Sequence, residues 1–151
     1  MPNIRRVNQS DSKDIFDWRN DELTRQMSHT TEVVEWVEHS KWFSSLLTNQ
    51  NRLLLMCEDE SLNEKVAIVR FDVAADRALI SINCSPSMRG RGKAKCCLKD
   101  AIEYFKTIYT KIRYIDAEIR SVNIASQRSF VGVGFVLVRE NVDGLFYEFA
   151  I

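Results

Sequence analysis

Only two prolines and five glycines interrupt these 151 residues, the 21 basic side chains are cancelled by 21 acidic ones, and no apolar run approaches the roughly 20 residues that span a bilayer. The scarcity of Pro and Gly leaves no flexible linker, so one domain covering residues 1–151 is expected. The absence of net charge removes the cationic excess that nucleic-acid or membrane-surface partners exploit, and neither partner is expected. The first residues lack the apolar core of a signal peptide. Cysteine is sparse as well: Cys57, Cys84, Cys96 and Cys97 contain no CxxC pair, and the adjacent two cannot readily bridge to each other. They read as four free thiols in a reducing compartment, the cytoplasm, with no metal. What is abundant is ordinary core material, 45% apolar with 10% aromatic, enough for one hydrophobic core at this length.

Residues 3–8 can form a short strand ahead of Asp11, which is suited to cap a helix through Ile15, Phe16 and Trp18 that ends near residues 19–21. Thr31 is expected to cap a second helix, with Trp36, His39, Phe43 and Leu47 on one apolar face, stopping at residues 48–51. The period then falls to two. Residues 53–58, 65–73 (Ala67, Val69, Phe71 and Val73 in phase) and 78–84 read as an antiparallel meander. Ala94, Cys97, Leu98, Ala101, Ile102, Phe105 and Ile108 step as a helix, and residues 114–120 alternate again with Ile115, Ala117 and Ile119 inward. A short helix over residues 124–131 closed by Gly134, then strands over 135–139 and 145–151 around Asp143-Gly144, complete a mixed α/β order.

The chemistry concentrates in Arg89-Gly90-Arg91-Gly92-Lys93-Ala94, a turn between a strand and the long helix. Such a turn leaves the first helical N–H groups unpaired at the positive end of the helix dipole, where an anion binds. Glycines there admit the backbone to a phosphate, and three cations surround it. A P-loop needs Ser or Thr after Gly-Lys, but Ala94 follows. A dinucleotide fingerprint needs a third glycine where Lys95 stands. A solvated basic turn without a ligand is the plain alternative.

These residues resemble the phosphate-binding signature of the GNAT superfamily of acetyl-CoA-dependent N-acetyltransferases, Gln/Arg-x-x-Gly-x-Gly/Ala, at every specified position. A second family signature matches Asn123, Ser126, Phe130, Gly134 and Phe135 at the expected spacing and order. The resemblance implies a mixed, mostly antiparallel sheet of about seven strands with about four helices, splayed around the cosubstrate. It implies that Ile82, Asn83 and Cys84 offer backbone groups to the acetyl carbonyl and pantetheine, that Arg89 to Ala94 hold the pyrophosphate, and that Asn123, Ser126 and Phe130 line the pantetheine arm.

Acetyl transfer needs a neutral amine, a polarised thioester carbonyl and a departing thiolate. Glu118, on the strand leading to Asn123, is the candidate base; from periodicity alone it is equally a solvated strand carboxylate. Much of the superfamily has a tyrosine acid where this chain has Phe130, so that proton donor is missing. On the acceptor side, Trp18-Arg19-Asn20-Asp21, Met27 and His39-x-x-Trp42 are similar to the branch that acetylates the 4-amino group of a UDP-linked deoxyamino sugar in pseudaminic acid biosynthesis. That likeness implies nucleotide contacts from Arg19 and His39, with Met27 in the sugar pocket. Protein N-terminal acetylation, with acids such as Asp21 and Glu22 along a peptide groove, and a non-catalytic coenzyme A-binding module are the alternatives. The oligomeric state is left open.

Overall fold

The Leu-, Val- and Ile-rich segments between Arg52 and Cys84 lie side by side as β2 (Arg52–Asp59), β3 (Glu64–Ala74) and β4 (Arg77–Cys84), the antiparallel meander that their spacing predicts. This is a computed structural model, and it describes residues 2–29 and 31–151. β1 (Pro2–Arg6) joins the meander on β2, and a second antiparallel group is built from β5 (Tyr114–Ile119), β6 (Val136–Asn141) and β7 (Gly144–Ala150). The seven strands run β1-β2-β3-β4-β5-β7-β6, with one parallel pairing, β4 to β5. A strand–helix–strand connection is what permits that parallel step. The connecting helix is α4 (Lys93–Ile108).

Helices cover both faces, which is why residues 53–57 are buried without alternation. On one face lie α4 and α5 (Ile124–Val133), where Phe105 stacks on Phe71 at 4.3 Å between centroids. On the other lie α1 (Ser12–Asn20) and α3 (Trp36–Thr48), with Ile15, Trp18, Phe43 and Leu46 packed on Leu54, Met56 and Ile68. Each fully buried side chain of this size contributes roughly 1.5–3 kcal/mol. The short α2 (Glu22–Met27), which the periodicity did not reveal, follows α1.

Several expectations are corrected by packing. Thr31 does not cap α3; the helix begins five residues later with Glu35 as N-cap, because the Asn20 side chain pins Val34 in an extended segment, donating to its carbonyl at 2.8 Å and accepting from its N–H at 2.7 Å. Leu46, not Leu47, completes the buried face of α3, and Trp36 stays 45% exposed against Phe16. Asp11 precedes α1 but does not cap it. Its buried carboxylate receives Arg5 through two bonds of 2.8 Å, Lys65 at 2.7 Å and the Asn8 N–H at 2.9 Å. Burial alone would raise this carboxyl, yet Arg5, the Asn8 N–H and Lys65 hold it well below the usual carboxylate range. Losing either partner would leave the fully buried Asp11 carboxylate less compensated, so this contact fixes β1, β3 and the start of α1 together.

The reading of four free thiols is also corrected. Cys57 of β2 and Cys97 of α4 form a disulfide with 5.9 Å between Cα atoms, leaving Cys84 and Cys96 free. Sequence separation of 40 residues hid the pair, and the thiol count no longer bears on the compartment. Thiol titration in denaturant should therefore find two reactive cysteines before reduction and four after it; four before reduction would refute the bridge.

Candidate active site

β4 and β5 pair only through Arg77–Tyr114, Ala78–Ile115 and Leu79–Asp116. Beyond Leu79, β4 continues along β3 while β5 continues along β7, and the two strands part. The opening is a cavity of about 970 Å³, with Ile80–Cys84 on one wall and residues 117–120 on the other. The β4 edge here has no strand partner, so its outward backbone groups are available to an amide-bearing ligand.

The glycine turn closes one end. Gly90 and Gly92 have φ of +72° and +69°, and a Cβ on either would meet no protein atom within 4 Å. The glycines are therefore required by the left-handed backbone, which costs other residues about 1–2 kcal/mol each, rather than by protein packing. Gly92 is the N-cap of α4 and offers no side-chain cap, so the leading N–H groups of a 16-residue helix face outward. The three cations divide the work. Lys93 is paired with Asp59 at 2.9 Å, Arg89 with Asp21 at 2.5 Å, and Arg91 is exposed outside both pairs. The turn fits a pyrophosphate chiefly through backbone N–H groups; Arg91, expected among the phosphate contacts, does not line the cavity, whereas Lys95 does.

The opposite wall is set by α5. Asn123 is its N-cap, its side-chain carbonyl accepting from the Ser126 N–H at 3.2 Å, and Gly134 at φ +113° ends it. Phe130 is 3% exposed and meets Phe135 edge-on at 5.0 Å. The second signature thus reads locally as a helix start, a helix stop and two core aromatics, with Asn123, Ser126 and Phe130 also lining the cavity. Cys84 lines it too; burial pushes its thiol up, against a smaller opposing pull from Arg89, so it is a protonated wall residue rather than a nucleophile. No tyrosine lines the cavity among the described residues.

Glu118 stands on β5 two residues past the last β4 pair, exposed and in the mouth of the opening. Arg19 and Met27 also line the cavity, whereas His39 does not. His39 is 0% exposed. Its Nε2–H donates to the Ser12 carbonyl at 3.0 Å, and its Nδ1 accepts from Arg19 at 3.0 Å. Burial, and then the Arg19 cation, push this imidazole below the usual histidine value, keeping it neutral and able to accept. The direct ligand contact expected of His39 becomes a hold on Arg19, whose guanidinium lies 4.0 Å over the Trp42 ring.

Arg70 is a wall residue that periodicity did not single out. A lone cation inside Val66-Ala67-Ile68-Val69-Arg70-Phe71 was the available signal. Arg19 is depressed by burial and then by the charge of Arg70, so two guanidiniums share the acceptor end, Arg70 being partly compensated by Asp72 at 3.4 Å. Asp21, expected along a peptide groove, is instead taken by Arg89, and Glu22 does not line the cavity.

The family model for the acetyltransferase (GNAT) domain matches residues 3–136. Among solved structures, a domain from Methanocaldococcus jannaschii DSM 2661 is 20% identical with a TM-score of 0.84, over 100% of this chain and 99% of that one. Spermidine N-acetyltransferase from Vibrio cholerae, in complex with CoA and spermine, is 15% identical with a TM-score of 0.87, over 99% and 95%. An aminoglycoside acetyltransferase in complex with coenzyme A is 12% identical with a TM-score of 0.83, over 99% and 95%. No curated protein sequence matches the chain.

Asn and Asp both tolerate a left-handed backbone, so they separate charge from strain at Gly92. Gly92→Asp should bind coenzyme A at least about fivefold more weakly than Gly92→Asn, because a carboxylate within about 4 Å of a phosphate charge costs about 1 kcal/mol or more. Equal calorimetric affinities for two folded variants would remove the anion from this turn.

Proposed function

Because the chain belongs to the GNAT acetyltransferase domain family and is an acetyl-CoA-dependent N-acetyltransferase, we propose that its acceptor is the free amine of a nucleotide-linked amino sugar. The observation that carries this reading is the pair of guanidiniums, Arg19 and Arg70, at the acceptor end of the cavity. Two like charges at one wall favour an acceptor bearing phosphate and oppose a polycation such as the spermine bound to the Vibrio enzyme. Trp42 adds an aromatic face beside Arg19, and Met27 supplies an apolar side chain on the same cavity. An acceptor that carries both anionic groups and an amine matches a cavity lined by Arg19 and Arg70 and also by Glu118.

In this reading Glu118 takes a proton from the ammonium, directly or through one water, and the freed nitrogen lone pair attacks the thioester carbonyl carbon. Unpaired backbone groups of Ile82, Asn83 and Cys84 orient the pantetheine and carbonyl, while Asn123 and Ser126 border the arm on the α5 side. As the C–S bond breaks with its electron pair on sulfur, the nitrogen, now bonded to the carbonyl carbon, gives up its second proton to solvent water and becomes the neutral amide. With Phe130 in the core and no tyrosine on the wall among the described residues, the thiolate leaves without a phenolic donor and takes its proton from water; a thiol pKa of ~8.5 makes that departure tolerable.

Thiol release from acetyl-CoA, assayed with a UDP-linked 4-amino sugar, an N-terminal peptide and spermidine, tests the reading. Turnover should be greatest with the nucleotide sugar. Arg19→Ala and Arg70→Ala should raise its KM by about tenfold or more while changing the acetyl-CoA KM little, and Glu118→Gln should cut kcat. Preference for the peptide or spermidine, or unchanged acceptor KM in folded arginine variants, would overturn the acceptor assignment.

A further inference from the structure

The four residues Trp18-Arg19-Asn20-Asp21 each do something different. Trp18 is buried core, Arg19 faces the cavity, and Asn20 pins Val34. Asp21 has two attachments. Its carboxylate caps α2 by accepting from the Thr24 N–H at 3.1 Å, and it accepts from the Arg89 guanidinium at 2.5 Å. Arg89 also donates to the Thr24 hydroxyl, which in turn donates to Asn83 Oδ1 at 3.4 Å.

These bonds tie the first turn of α2 to the turn before α4 and to the β4 wall. The other end of α2 is tied to the β5 wall. Arg120, the residue after β5, donates to the Gln26 carbonyl and to the Ser28 carbonyl at 3.2 Å. Thus α2 spans the opening between β4 and β5, attached to both sides, and presents Leu23, Thr24 and Met27 to the cavity. The charge of Arg89 is already committed in this arrangement: Asp21, although burial opposes it, stays below the usual carboxylate range through Arg89 and the Thr24 N–H.

We propose that Asp21 is a positioning residue for acetyl transfer: through Arg89 and Thr24 it holds α2, a wall of the acceptor pocket, in register with the turn that receives the coenzyme pyrophosphate. The proposal rests on that turn being the coenzyme site. A ligand that immobilises the glycine turn then also immobilises α2, so the acceptor pocket is completed as the cosubstrate binds. It further assigns Arg89, alone among the three cations of the turn, to the acceptor side rather than to the phosphates.

Amide hydrogen exchange of the full chain with and without saturating coenzyme A tests this independently of the acceptor. In the wild type, coenzyme A should slow exchange at residues 22–28 severalfold. Asp21→Asn keeps a good N-cap but removes the charge that Arg89 holds; it should abolish that slowing while leaving coenzyme A affinity within about threefold. Arg89→Gln should behave alike, and the double variant should be no worse than either single one. Thr24→Val, which removes only the hydroxyl, should weaken the response and keeps the test open if a charge variant fails to fold. With the UDP-linked 4-amino sugar as probe, kcat/KM for the acceptor should fall more than tenfold in Asp21→Asn. Undiminished protection of α2 in Asp21→Asn, or a tenfold loss of coenzyme A affinity in Arg89→Gln alone, would overturn the proposal. No coenzyme A binding by the wild type would instead remove the coenzyme site itself.

Discussion

Everything functional in this molecule depends on two strands ceasing to pair. β4 and β5 share three residue pairs, and past Leu79 each stays bonded to its other neighbour. A sheet that continued would bury its backbone groups in a ladder; the interruption leaves a β4 edge with amide groups to offer, a cavity of about 970 Å³, and a helix whose N-terminus points at it. The parting is held from both sides. Core packing of α4 and α5 supports one face, and α1, α3 and the strap of α2 support the other. The Asp11 contacts with Arg5 and Lys65 anchor the start of α1, which leads directly into the residues that line the acceptor end.

Charge is distributed so that this cavity is not uniformly basic, although its turn is rich in cations. Lys93 and Arg89 are neutralised by Asp59 and Asp21, so the turn's own attraction for an anion comes chiefly from its backbone N–H groups. At the far end the guanidiniums of Arg19 and Arg70 are compensated less completely, and a neutral His39 holds the first of them without adding charge. A chain with zero formal net charge thereby places the guanidiniums of Arg19 and Arg70 and the carboxylates of Glu32 and Glu118 on one cavity.

Local patterns in the sequence were enough for the seven strands, for α4 and α5, and for the glycine turn, because each is specified by neighbours within a few residues. The Gly134 stop and the Asp143-Gly144 turn are of this kind. At Gly144 a Cβ would stand 2.7 Å from the Ile119 carbonyl oxygen. What was not legible joins residues far apart in the chain. Cys57 meets Cys97, Arg89 meets Asp21 across 68 positions, and His39 is enclosed by contacts with Ser12 and Arg19 rather than opened to the cavity. Helical spacing put His39 on an apolar face correctly, but only tertiary packing decides whether such a face is wall or core. The start of α3 was misread for a similar reason, since Asn20 determines it from another helix.

The central claim is that the opening between β4 and β5, closed by the Gly90–Gly92 turn, receives the coenzyme. Backbone amide shifts followed during titration with coenzyme A test it most directly. The account predicts saturable shifts concentrated at residues 90–96, from hydrogen bonds to the pyrophosphate, together with residues 82–84 and 123–126 along the pantetheine. Saturable binding that leaves residues 90–96 unmoved while shifting another surface would contradict it.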